Sequence, residues 1–169
     1  MKFDLEKLLS ENKSEKGNDD FPEHKVRFTD DKRTEARLLA IQSVFMYSTS
    51  EDKTTSGVIT ESLEYFGLKS AHLDKKLFVK IVEKAIGSKK DIIKEIETNL
   101  DESWNVERLD DVVVSILITS IAELLLKETP IEIVVSEYMA LSRAFVEQDQ
   151  IAFIHGILGS VTKKYNLGE

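Results

Sequence analysis

Cysteine is missing altogether from this 169-residue chain, which excludes a disulfide framework, a thiolate metal site and a cysteine nucleophile. The three histidines, His24, His72 and His155, stand far apart with no paired ligand spacing, so neither a metal nor a cofactor is expected. Only 2 prolines and 7 glycines are present, too little punctuation for many strands joined by tight turns. No glycine-rich phosphate loop, GxSxG elbow or HExxH pair occurs. The chain therefore offers no catalytic residues and reads as a non-enzyme.

Long hydrophobic runs are also scarce. The longest, Val112–Leu126, covers fifteen residues and includes Ser115, Thr119, Ser120 and Glu123. A membrane-spanning helix needs roughly 20 predominantly apolar residues, so this run reads as a buried helix and no membrane role is expected. The first residues lack the apolar core of a secretory signal, which points to the cytoplasm.

What is abundant is charge. The chain carries 23 basic and 31 acidic residues, a net charge of −8. Non-specific coating of nucleic acid rests on many phosphate neutralisations, and this balance argues against it. Residues 1–31 hold six basic and nine acidic residues with no sustained periodicity. They read as a disordered extension, with a short amphipathic turn at Phe3, Leu5, Leu8 and Leu9, and residues 32–169 as one helical domain.

Helical spacing begins at Lys32. Leu38, Ile41, Val44 and Phe45 recur at intervals of three and four, with Asp30 or Asp31 available as cap. Val58, Ile59, Leu63 and Phe66 make a shorter helix that Gly67 can end. Asp74 can cap a long stripe from Leu77 to Ile96, and Gly87 inside it suggests two helices in register. Arg108–Lys127 is apolar all round, as a central helix is, although a buried strand pair is the alternative for so many β-branched residues. Thr129-Pro130 signals a helix start, with an inner face running from Val134 to Phe145. Asp149 can cap a last helix carrying Phe153, Ile154, Ile157, Leu158 and Val161. The sum is an all-α domain of about six or seven helices.

Within this pattern a few residues stand out. Glu123 interrupts an apolar helix, and a buried carboxylate must be paired, so a structural ion pair is expected. Gly156 and Gly159 form a GxxG string on a helix, read as close helix packing. Lys32, Arg33 and Arg37 form a small basic cluster, with Arg33 and Arg37 four apart and sharing a face. Lys163 and Lys164 extend it only if the two ends of the domain meet.

Two stretches carry a family resemblance. Ala36–Ser48, ARLLAIQSVFMYS, and Pro130–Val161 resemble the opening and closing segments of the NusB family of transcription antitermination proteins. Trp104, Arg108-Leu109 and Ala122-Glu123-Leu124 fall between them in the family's order. The resemblance covers about Arg33 to Lys164 and implies an all-helical bundle in two halves. It also implies binding of boxA, a short single-stranded RNA signal, together with NusE (the tenth protein of the small ribosomal subunit), within the RNA polymerase antitermination complex of ribosomal RNA operons.

Carried over by position, the resemblance places Lys32, Arg33, Arg37, Asp149 and Phe153 at the RNA, and Phe45 and the Glu123 region at the NusE surface. This chain departs from the family pattern at Glu35, His155 and Gly159, and in the apolar Val113 and Ile118, where many relatives carry charge. Those departures leave one alternative, a helical dimerisation or scaffold module with weak or no RNA binding. The family resemblance leaves a homodimer open.

Overall fold

The computed structural model describes residues 32–67 and 73–165; the expected extension, its amphipathic turn and the Asp30 or Asp31 cap lie outside them. Seven α-helices and no strand occur among the described residues. They are α1 (Lys32–Ser48), α2 (Thr55–Ser62), α3 (Lys75–Gly87), α4 (Lys89–Thr98), α5 (Asp111–Leu126), α6 (Ile131–Ser142) and α7 (Gln148–Tyr165). A π-helical turn, Leu63–Gly67, continues α2, and a 3-10 turn, Val106–Arg108, precedes α5.

The strand alternative is excluded, because Val112–Leu126 lies within one helix. Helix α5 packs against α1, α3, α4, α6 and α7, and its residues Ile116, Leu117, Ile118 and Ile121 are fully buried. That placement explains why its apolar residues show no single face.

Two cores meet at α1. Ala36, Leu39 and Ala40 join Leu77, Phe78, Ile81 and Val82 of α3 in the smaller one. Leu38, Ile41 and Val44, on another face of the same helix, join α5, α6 and α7 in the larger one. Leu39 and Ala40 lie three and four residues beyond Ala36, and Leu38, Ile41 and Val44 follow one another at intervals of three, so a single helix serves as a wall shared by both halves.

Local signals set most boundaries. The Asp74 carboxylate accepts from the Leu77 N–H at 3.0 Å, capping α3. Helix α3 stops at Gly87 and α4 starts at Lys89, so the break at Gly87 is real. Pro130 sits at the cap of α6 rather than in its first turn, and α6 ends at Ser142, before Phe145. Asp149 lies inside the first turn of α7 and is not its cap. There the Gln150 side chain accepts from the Glu147 N–H at 3.2 Å. Gly156 and Gly159 do not mediate close packing, since a methyl group at either would meet nothing within 4 Å.

Candidate nucleic-acid interface

The basic cluster of α1 divides between surface and interior. Lys32 and Arg33 are exposed, and an Arg33 Nη2–H donates to Thr129 Oγ1 at 2.7 Å, tying the start of α1 to the α5–α6 turn. Arg37 is 1% exposed. Its Nε donates to Glu123 Oε2 at 2.9 Å and its Nη2 to Oε1 at 2.9 Å. This is the two-pronged geometry that a planar guanidinium and a carboxylate favour.

Around this pair the network continues. Arg37 Nη1 lies 3.5 Å from Glu137 Oε2, which also accepts from Thr34 Oγ1 at 2.8 Å. Burial opposes the charge on Arg37, but the hydrogen bonds and charge of Glu123 outweigh it and hold the guanidinium above its ordinary range. The Tyr138 hydroxyl, buried beside the pair, makes no hydrogen bond among the described residues. Burial first, then the negative charge of Glu123, push its ionisation well above the ordinary tyrosine range.

Two expectations are corrected by this placement. Arg37 does not face RNA, because its side chain is inside and is engaged by Glu123 and Glu137. Glu123 does not face a protein partner, because it is also 1% exposed. The structural ion pair expected for Glu123 is present, and Arg37 is its partner.

A groove lies at the other end of the larger core. Helix α7 contributes Asp149, Phe153 and Gly156 to it, the loop before α5 contributes Asp101, Trp104 and Arg108, and its volume is about 710 Å³. Asp149, Phe153 and Gly156 are spaced four and three apart, so one helix face presents them together. Phe153 is half-buried, one side packed on the larger core. Trp104 is 53% exposed.

The loop is pinned at both ends. The Trp104 N–H donates to the Asp101 carbonyl at 2.8 Å, and Arg108 Nη1–H donates to the Ser103 carbonyl at 3.1 Å. Gln150 of α7 donates to the Asp110 carboxylate, which joins the α7 start to the cap of α5. Asp110 and Asp149 both border the groove.

The remaining candidates separate from this face. Phe45 is half-buried near the end of α1. Lys164 Nζ donates to Glu95 Oε2 of α4 at 2.6 Å, and that hydrogen bond holds its ammonium above the ordinary range. Val113 and Ile118 are 2% and 0% exposed, which accounts for their apolar character. Among the described residues no group of three or more His, Asp or Glu side chains could hold a metal ion, and no helix is long and apolar enough to cross a membrane.

Trp104 and Arg108 entered the sequence reading only as markers of order. A lone aromatic in a loop has no periodicity to give it away. The available signal was a single tryptophan set between polar residues, Ser103 and Asn105.

An all-helical domain with two cores hinged on one shared helix, and an aromatic groove beside its last helix, defines a class of binding module. Its family is explicit in comparison with known proteins: the NusB family model matches residues 34–163, and the chain belongs to that family. The transcription antitermination protein NusB of Bartonella quintana is 28% identical over 149 residues, covering 80% of this chain and 91% of the relative. That of Bartonella henselae is 30% identical over 146 residues, covering 80% and 90%. Among solved structures, T. maritima NusB superposes with a TM-score of 0.69 at 21% identity, covering 78% of this chain and 91% of that one. A chain from a crystal structure of antitermination factors NusB and NusE in complex with dsRNA gives a TM-score of 0.70 at 22% identity, covering 79% and 98%.

Proposed function

We propose that this protein is a transcription antitermination factor that binds boxA RNA together with NusE and joins the RNA polymerase antitermination complex in the cytoplasm. The observation that carries the reading is the groove face of α7, where Asp149 and Phe153 stand one turn apart beside Trp104. An unstacked base laid on an exposed aromatic ring is held by about 1–3 kcal/mol. Lys32 and Arg33, both exposed at the start of α1, supply the phosphate contacts, and Arg37 acts behind them by fixing α1 to α5. The acidic surface suits a basic partner such as a ribosomal protein through charge complementarity. Phe45 marks the region of α1 where that partner docks.

The test is a fluorescence-anisotropy titration of labelled boxA RNA in the presence of NusE. Phe153→Ala is expected to weaken binding by about tenfold, within the range of one base–aromatic stack. Wild-type affinity in Phe153→Ala, with the fold intact by circular dichroism, would remove this face from the RNA site.

A further inference from the structure

We propose that the starts of α1 and α3 and the α5–α6 turn form one basic track, which holds the phosphate backbone of RNA lying beyond boxA, chiefly through Lys75 and Lys76. This role rests on the RNA-binding reading above and extends it to a surface where base identity plays no part.

Three chain segments converge at this place. The Asp74 N–H donates to the Lys32 carbonyl at 3.1 Å, which sets the start of α3 beside the start of α1. Arg33 donates to Thr129 at 2.7 Å and Lys80 to Glu128 at 2.8 Å, which brings the α5–α6 turn against both. Residues 32–33, 74–80 and 127–129 carry six basic side chains, Lys32, Arg33, Lys75, Lys76, Lys80 and Lys127, against two acidic ones, Asp74 and Glu128. In a chain of net charge −8 this cluster is a positive island. Both of its carboxylates are occupied, Asp74 by the Leu77 N–H and Glu128 by Lys80.

Most of its cations are available. Lys32, Lys75, Lys76 and Lys127 are exposed, and their ammonium groups have no ion pair or hydrogen bond among the described residues. Lys75 and Lys76 also open the first turn of α3, which holds no acidic residue. The positive end of a helix dipole disfavours cations there. Helix stability therefore gives no reason for this lysine pair, whereas a polyanion does.

The surroundings decide which polyanion. No large apolar side chain is exposed within these three segments, so the apolar anchors that a membrane surface or a protein interface would use are missing. Lysines alone grip backbone charge and read no base. Phe153 borders a groove with Asp110, at the start of α5, whereas Arg33 meets Thr129 just past the end of α5. Helix α5 has 16 residues, a length of about 24 Å at the usual rise. A strand with a base on Phe153 and a phosphate at Arg33 has thus run the length of α5, and Lys75 and Lys76 are the cations next in line.

The experiment uses the full chain with NusE and three labelled RNAs: boxA alone, boxA with a uridine flank before it, and boxA with the same flank after it. Anisotropy titrations over a series of salt concentrations give affinity and salt slope. One flank is expected to tighten binding severalfold and to steepen the slope by about 0.7 for each phosphate held. Lys75→Gln with Lys76→Gln is expected to remove that gain, to leave boxA alone nearly unaffected and not to lower the melting temperature. Lys75→Arg with Lys76→Arg, which keeps the charge, is expected to retain the gain.

A flank that adds neither affinity nor salt dependence, while boxA alone still binds, would overturn the track and leave the RNA-binding reading standing. So would equal gains from both flanks, or a gain that survives the glutamine variant. No binding of any of the three RNAs would overturn both.

Discussion

Arg37 of α1 and Glu123 of α5 face each other inside the domain, joined by Nε–Oε2 and Nη2–Oε1 hydrogen bonds of 2.9 Å each with both side chains 1% exposed. The pair ties together two helices that line both cores, and it makes Arg37 structural. Removing one partner of such a pair leaves a buried charge unpaired, which costs about 3–5 kcal/mol, whereas replacing both by apolar groups is often neutral. Arg37→Ala and Glu123→Ala are therefore expected to lower stability by a few kcal/mol in denaturant titrations, and Arg37→Met with Glu123→Leu to recover most of it. Loss of RNA affinity in Arg37→Ala at unchanged stability would restore the RNA-contact role.

Arg33 behaves differently. Its side chain is exposed at the start of α1, where phosphate can reach it. Arg33→Ala is expected to weaken RNA binding across sequences and to reduce the slope of affinity against salt by about one. Its stability is expected to fall by about 1 kcal/mol, because the part-buried hydrogen bond to Thr129 is lost. An unchanged salt slope would contradict the phosphate contact.

Tyr138 gives a prediction of opposite sense. Its buried hydroxyl has no hydrogen-bond partner among the described residues, so Tyr138→Phe removes an unsatisfied polar group and is expected to leave stability unchanged or raised. The folded phenol ionises well above the ordinary value of 10.0, while the unfolded chain releases this proton near that value. Tyr138 thus holds its full contribution below about pH 10, and that contribution drains away as pH rises further. Melting temperatures from pH 8 to 11 are expected to fall less steeply in Tyr138→Phe. A steeper fall would contradict the burial argument.

Lys127, the residue that caps the C-terminal end of α5, takes the left-handed conformation at φ 55° and ψ 26°. A side chain there is strained by about 1 kcal/mol where glycine is not. Lys127→Gly is expected to raise stability by that order, and Lys127→Val, β-branched, to lower it. Thermal melts of the two variants check the sign.

Much of this architecture was legible because local rules and tertiary placement agree. Asp74, Gly87 and Pro130 lie at helix boundaries because caps and breaks depend on neighbouring backbone groups alone. The all-round apolar character of Val112–Leu126 pointed to a central helix, since only a helix surrounded by others needs no polar face. The misreadings share one cause: they concern which way a side chain turns. Arg33 and Arg37 are one helical turn apart and identical in chemistry, and only the position of Glu123, 86 residues further on, draws the second inward. Gly156 and Gly159 read as packing contacts, yet no neighbouring element approaches them. Trp104 carried no periodic signal, and its importance emerges only when α7 brings Phe153 to the same groove.

RNA and NusE are proposed to bind together through separate faces of one helical domain. The most direct measurement mixes the full chain with NusE and labelled boxA RNA and compares the affinity of the three-component complex with that of each pair. A ternary complex tighter than either protein–RNA pair, weakened by Phe153→Ala and by Arg33→Ala, is the predicted result. A stable homodimer that ignores both NusE and boxA RNA would contradict it.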